Sequence, residues 1–323
     1  MTQETPLTLA KDKNKMSVKD KNTISLILTA MRPHQWVKNL FIFAPLLFGR
    51  KLTDLSAIGY SLMAFSIFCM LASALYIFND WIDAEDDRNH PEKCNRPISS
   101  GALSVPVALI SSLVLAIIGF GLASLISFYF FIIAALYVML TLSYCLTLKK
   151  LIVLDAMAIA AGFVVRIVGG AIAVSVMPSH WLIVCAYLLA LFLAFTKRRQ
   201  ELLTLSQKAG DHREVLNEYS LEFLEKVNNI LIGASIVCYA LYTVAPETIE
   251  KFNTDNLIYG TVFVIYGMFR YMILIQNPSN GGNPSKMLLQ DKPLLLTVIS
   301  WVIYNAFMIY YLKIESLWTN LIG

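Results

Sequence analysis

The chain has 323 residues, of which 57% are hydrophobic and only 15% charged, against roughly 25% charged in soluble domains. That excludes an ordinary soluble domain and points to an all-α integral membrane protein, because about 20 largely apolar residues suffice to cross a bilayer. The net charge of +4 gives no reason to expect a nucleic-acid partner, and its meaning lies in its distribution.

Residues 1–30 read as a disordered, basic cytoplasmic tail, with Lys11, Lys13, Lys15, Lys19 and Lys21 suited to an anionic membrane face. No apolar core followed by a small-residue cleavage site marks a signal peptide. Residues 31–323 read as one transmembrane domain of about nine helices, at 34–50, 55–79, 104–124, 127–148, 153–175, 181–199, 226–245, 257–276 and 293–314. The first is the least regular, opening on His34-Gln35 and interrupted at Ala44-Pro45, where proline favours a kink. The lysines and arginines fall overwhelmingly in the tail and in the loops near 88–96, 149–150, 197–226 and 286–292. The positive-inside rule then places the N-terminus and these loops in the cytoplasm, in a cytoplasmic (inner) membrane. Of the five cysteines, Cys69, Cys145, Cys185 and Cys238 lie in apolar spans and Cys94 in a polar loop, with no metal-ligand spacing.

Between two uncharged stretches, 55–78 and 105–148, stands Asn79-Asp80-Trp81-Ile82-Asp83-Ala84-Glu85-Asp86-Asp87. If the preceding helix runs on, Asp80, Asp83 and Asp87 at i, i+3 and i+7 share a face, with Asn79 beside them. Such a face repels itself unless a cation intervenes, and Mg²⁺ takes one or two carboxylates plus substrate phosphate oxygens. The plainer reading is a solvated acidic loop. Lys93 and Arg96, with the turn residues Pro97, Ser99, Ser100 and Gly101, set cations beside the acids and weigh against it.

Further along, Lys149-Lys150 ends the fourth span on the same side as the acids, suited to a phosphate, although a plain positive-inside terminus reads the same way. Asp155 and Arg166 lie within the fifth span, about 16 Å apart along a helix and too far to pair, so each needs another partner; phosphate suits Arg166, and a pair with another helix is the alternative. Gly162, Gly169 and Gly170 suit close helix contact. Thr196-Lys197-Arg198-Arg199-Gln200-Glu201 closes the sixth span with cations able to bind phosphate oxygens. Asp291, before Lys292-Pro293, suits either a helix cap or the site.

The pattern Asn-Asp-x-x-Asp-x-x-x-Asp followed by Arg96-Pro97-Ile98-Ser99-Ser100-Gly101 resembles the first signature of the UbiA superfamily of intramembrane prenyltransferases. Arg32-Pro33-x-Gln35-Trp36-x-Lys38-Asn39 otherwise reads as an interfacial anchor, with Trp36 at headgroup level; together with Leu154 to Arg166, His212 to Tyr219 and Pro284 to Pro293, it resembles the polyprenyl-phosphate (decaprenyl-type) phosphoribosyltransferase branch. The chain departs from the superfamily where a second Asp-x-x-x-Asp is usual: near 196–201 only Glu201 is acidic. The spacing of Tyr144 and Lys149 is also one residue looser.

The resemblance implies helices around a central cavity and transfer of 5-phosphoribose from phosphoribosyl diphosphate to a polyprenyl phosphate. Asp80, Asp83 and Asp87, with Asn79, would hold Mg²⁺; Lys38, Arg96, Tyr144, Lys149, Arg166, Lys197 and Arg198 would bind phosphates, with Gln35, Asn39, Asp155 and Asp291 as secondary candidates. A homo-oligomer is compatible with this reading. The alternatives are UbiA-type prenyl transfer to an aromatic acceptor, which predicts the missing second acidic motif, and a transporter using Asp155 and Arg166.

Overall fold

The computed structural model describes residues 22–89, 93–205, 214–276 and 284–322. Among them the chain is helical throughout: α1 Thr23–Ala30, a 3-10 segment Pro33–Phe43, α2 Ala44–Phe48, α3 Leu55–Ile82, α4 Ala84–Asn89, α5 Val105–Ile126, α6 Phe128–Leu146, α7 Leu154–Ala173, α8 His180–Leu205, α9 Leu221–Val244, α10 Pro246–Phe252, α11 Thr261–Gln276, α12 Pro284–Gln290 and α13 Lys292–Ile322. Among the described residues, eight helical stretches are long and apolar enough to cross a membrane: α3, α5, α6, α7, α9, the 180–203 part of α8, 256–276 including α11, and the 292–311 part of α13.

The first expected span takes a different form. Residues 33–43 wind as a 3-10 helix opened by Arg32 in the left-handed region (φ 54°) with Pro33 following, and α2 continues beyond Phe43. At ~2.0 Å per 3-10 residue and ~1.5 Å per α residue, the two pieces reach about 30 Å, the thickness of the hydrocarbon core. The nine expected spans are thus eight long helices and one extended segment. Long 3-10 runs have poor hydrogen-bond geometry, and tertiary contacts sustain this one. Trp36 Nε1 donates to Ser73 Oγ at 3.1 Å, and Asn39, 1% exposed, donates to Cys69 Sγ at 3.2 Å. On α7, a Cβ at Gly170 would lie 2.1 Å from the Ile42 carbonyl oxygen. Only glycine lets the two backbones approach this closely.

The expected disordered tail is corrected at its end. From Ile24 the sequence turns apolar, Asn22 caps α1, and Leu26 and Ala30 bury against Ile77, Ile98, Leu103 and Ala108. Residues 1–21, with the five tail lysines, lie outside the described residues.

α3 and α7 are the most buried of the long helices, whereas α5 presents nearly its whole length outward. α3 stops at Ile82, not running on through the acids. The helical spacing nevertheless survives the break, because Asp83 N–H reaches Asn79 C=O at 2.9 Å and Asp87 N–H reaches Asp83 C=O at 2.8 Å.

Before α7 the backbone is strained. Val153 has φ 65° and ψ −45°, and Leu154 N–H closes a three-residue turn on Ile152 C=O at 2.7 Å. A β-branched residue in this kind of γ-turn is a real outlier, costing about 1–3 kcal/mol.

Candidate active site

A cavity of about 1970 Å³ occupies the centre of the bundle, and every long helix except α5 contributes to its wall. Its polar end is built by the end of α3 with α4, the 93–97 turn, the start of the 3-10 segment and the ends of α6 and α8. Apolar side chains such as Phe41, Leu189, Tyr242, Met268 and Trp301 line the remainder.

The three aspartates do come together at the polar end. Asp80, 1% exposed, forms ion pairs with Arg32 and with Arg96 Nη1 at 3.0 Å. The same Arg96 nitrogen pairs with Asp87, whose other oxygen lies 3.9 Å from Lys93 Nζ. Asp83 takes Lys149 Nζ at 2.6 Å and the Asn79 side-chain amide at 2.8 Å. Burial pushes the Asp87 carboxyl above the ordinary carboxylate range, and Arg96 and Lys93 pull against it.

Among the described residues no three His, Cys, Asp or Glu side chains converge closely enough to enclose a metal unaided. The donors present are nevertheless hard oxygens in a water-accessible cavity. They fit a Mg²⁺ ion that shares one or two carboxylates with phosphate oxygens and keeps waters, and Arg32, Arg96 and Lys149 are the cations paired with those carboxylates. Arg32 was not among the residues singled out as phosphate-binding. It also lies over the Tyr76 ring at 5.4 Å, and its sequence signal is its place at the head of the Arg32-Pro33-x-Gln35-Trp36-x-Lys38-Asn39 motif.

A second polar surface is cationic. Lys38, Arg166 and Lys197 line the same cavity, and the charges acting on Lys38 are Lys197, Arg166 and Arg32, all of one sign. No hydrogen bond or ion pair engages Lys38 among the described residues. Arg166 is held by neutral groups: its Nε donates to Asn39 Oδ1 at 2.7 Å, Nη1 to Gly162 C=O at 2.8 Å and Nη2 to Tyr137 OH at 2.9 Å, with the Tyr137 ring at 4.7 Å. Its direction is fixed while, among the described residues, no carboxylate pairs with it, a geometry suited to an anion. Lys197 lies 3.7 Å from Glu201.

Other candidates have different places. Gln35, Tyr144 and Lys149 line the cavity. Arg198 does not: it is completely buried, pairs with Asp155 at 2.7 Å and with Glu201, and approaches Tyr144 OH at 3.4 Å. Its expected phosphate contact is therefore corrected to a structural pairing, because two carboxylates already engage it behind the wall. Asp155 belongs to that network, and Asn39 stands behind Arg166. Asp291 accepts from Leu294 N–H at 2.8 Å, capping α13, and pairs with Arg270 through both oxygens, at 3.2 and 2.8 Å. The capping alternative is the one the structure shows, off the cavity wall. His212 and Arg213 lie outside the described residues, as do the side chains of Pro284 to Lys286.

Comparison with known proteins agrees with this architecture. Residues 41–291 match the model of the UbiA prenyltransferase family. The decaprenyl-phosphate phosphoribosyltransferase of Corynebacterium glutamicum is 30% identical over 318 residues, covering 94% of this chain and 93% of that protein. The enzyme of the same name from Mycolicibacterium smegmatis is 28% identical over 300 residues, covering 87% and 92%. A UbiA homolog from Archaeoglobus fulgidus, solved bound to DMAPP and Mg²⁺, superposes with a TM-score of 0.68 at 18% identity, over 88% of this chain and 98% of that one. This last likeness is one of fold.

Proposed function

The chain is a transferase of the UbiA prenyltransferase family, and from that premise we propose that it transfers 5-phosphoribose from phosphoribosyl diphosphate to a polyprenyl phosphate. An oxygen of the lipid phosphate attacks the anomeric carbon, the bond from that carbon to the diphosphate oxygen breaks, and diphosphate leaves with the electron pair. The acceptor phosphate is already anionic near neutral pH, and no general base is needed.

The observation that carries this reading is the pairing of an acidic pole with a separate, acid-poor cationic surface in one cavity. Lys197 stands in the stretch where the superfamily usually carries a second acidic motif, and Lys38 and Arg166 line the same cavity. These three cations hold the acceptor phosphate, and the apolar wall takes the polyprenyl chain. Arg32, Arg96 and Lys149 exchange their carboxylate partners for oxygens of the donor diphosphate and orient it. Asp80, Asp83 and Asp87, with Asn79, would hold Mg²⁺, which when bound neutralises charge developing on the leaving group. Tyr144 and Gln35 complete the wall near the reacting groups. The names of the two relatives support the same transferred group and the same class of acceptor. The lysine and arginine distribution supports a cytoplasmic acidic pole.

The test is Mg²⁺-dependent diphosphate release by the purified protein from two substrate pairs. Release from phosphoribosyl diphosphate with a polyprenyl phosphate is expected. Release only from a prenyl diphosphate with an aromatic acid would replace this reading by aromatic prenylation.

A further inference from the structure

The strained turn at Val153 has no role in the chemistry as described, yet it is closely held. The Tyr219 hydroxyl accepts from Val153 N–H at 2.7 Å and donates to Asp155 Oδ1 at 2.7 Å. Asp155, fully buried, is fixed in turn by Arg198 at 2.7 Å, which engages Glu201 and Tyr144. One phenol thus ties the residue at the centre of the turn to the first turn of α7. Strain of this kind persists only where its surroundings over-determine it, and it gathers at functional sites.

Immediately upstream lies the short 3-10 turn Leu148–Lys150, closed by Leu151 N–H on Leu148 C=O at 3.1 Å. It carries Lys149, which reaches across to Asp83 at 2.6 Å. With α7 packed in the core, the Val153 turn sets the direction in which the chain leaves the helix and hence where the Lys149 ammonium lies. Neither Val153 nor Tyr219 lines the cavity, whereas Lys149 does.

We propose that Tyr219 is a positioning residue: by holding Val153 at positive φ it aims Lys149 at the acidic pole and so sets affinity for the diphosphate group. The inference rests on the reading above only in placing a diphosphate there, and both candidate donors carry that group.

Inorganic diphosphate in Mg²⁺ buffer is therefore the probe, titrated calorimetrically against the full-length protein in detergent. Lys149→Met is expected to weaken binding about tenfold, the loss of one charge-assisted hydrogen bond. Tyr219→Phe, which keeps the ring stacked on Phe223, should weaken it severalfold, and the double variant should bind no more weakly than Lys149→Met alone. Adding Val153→Gly to Tyr219→Phe should restore binding, because glycine takes positive φ without strain. Val153→Pro, unable to adopt that φ, should lose binding while Tyr219 is intact, which keeps the test open if Tyr219→Phe does not fold. Multiplying losses in the double variant, no rescue by glycine, full binding by Val153→Pro, or no diphosphate binding by the parent protein would each overturn the proposal. Failure of the phosphoribosyl reading alone would leave these titrations unchanged.

Discussion

Asp155→Ala asks whether Arg198 is a phosphate ligand or a structural cation. Asp155 and Arg198 are both completely buried, 2.7 Å apart, and Asp155 also receives the Tyr219 hydroxyl. Removing one partner of a buried pair costs about 3–5 kcal/mol, chiefly through the charge left behind. Glu201 still faces Arg198, which puts the expected cost near ~3 kcal/mol at the low end of that range. At about 2–4 °C per kcal/mol for chains of 150–250 residues, the melting temperature should fall by roughly 6–12 °C. Thermal unfolding in detergent, followed by tryptophan fluorescence, measures this directly. The companion variant Asp155→Leu with Arg198→Met replaces the pair by apolar groups and should recover much of the loss. At saturating donor, turnover should follow the folded fraction in both. An Asp155→Ala protein that melts like the parent, or an Arg198→Met protein that folds normally but loses phosphate binding, would refute the assignment.

Asp83→Asn should abolish turnover while leaving membrane insertion and melting intact, since the Asp83 side chain is partly exposed; normal activity would remove it from the metal site. Lys38→Met should raise the KM for the polyprenyl phosphate about tenfold or more with little change for the donor, as loss of a charged contact implies; steady-state kinetics varying one substrate at a time would show it. Gly170→Ala drives a methyl onto the Ile42 carbonyl and should cost about 1–3 kcal/mol of stability, with weaker acceptor binding as Asn39 shifts from Arg166. Asp291→Ala should leave activity intact while losing about 0.5–2 kcal/mol for the α13 cap. Arg270 first, then the Leu294 N–H, hold the Asp291 carboxyl below its usual range. Its contribution is therefore present above the unfolded value near ~3.9 and disappears as pH falls through the lower folded value. Acid melting curves of Asp291→Asn and the parent should converge there.

Much of this site was legible because its charges stand out against an uncharged background. Asp80, Asp83 and Asp87 break two long apolar stretches, and Lys149 and Lys197 end spans on the same side, so topology alone brings them together. Arg198 reads like Lys197 because the two are adjacent in sequence, but adjacent residues on a helix face different ways. Its partner Asp155 comes from another helix and cannot be seen from either segment alone. The 3-10 form of residues 33–43 depends on Asn39, Trp36 and the missing side chain at Gly170, none of which has a local periodic signal. Residues 23–30 read as part of the tail because the lysines before them dominate the composition, although Ile24 to Leu28 already carry an apolar face.

The most direct measurement offers the purified protein phosphoribosyl diphosphate, a prenyl diphosphate, a polyprenyl phosphate and 4-hydroxybenzoate together with Mg²⁺, and weighs the lipid products by mass spectrometry. A polyprenyl phosphate heavier by one phosphoribosyl group, absent from the Asp83→Asn protein, is the expected result. A prenylated aromatic acid with the polyprenyl phosphate unchanged would contradict the account.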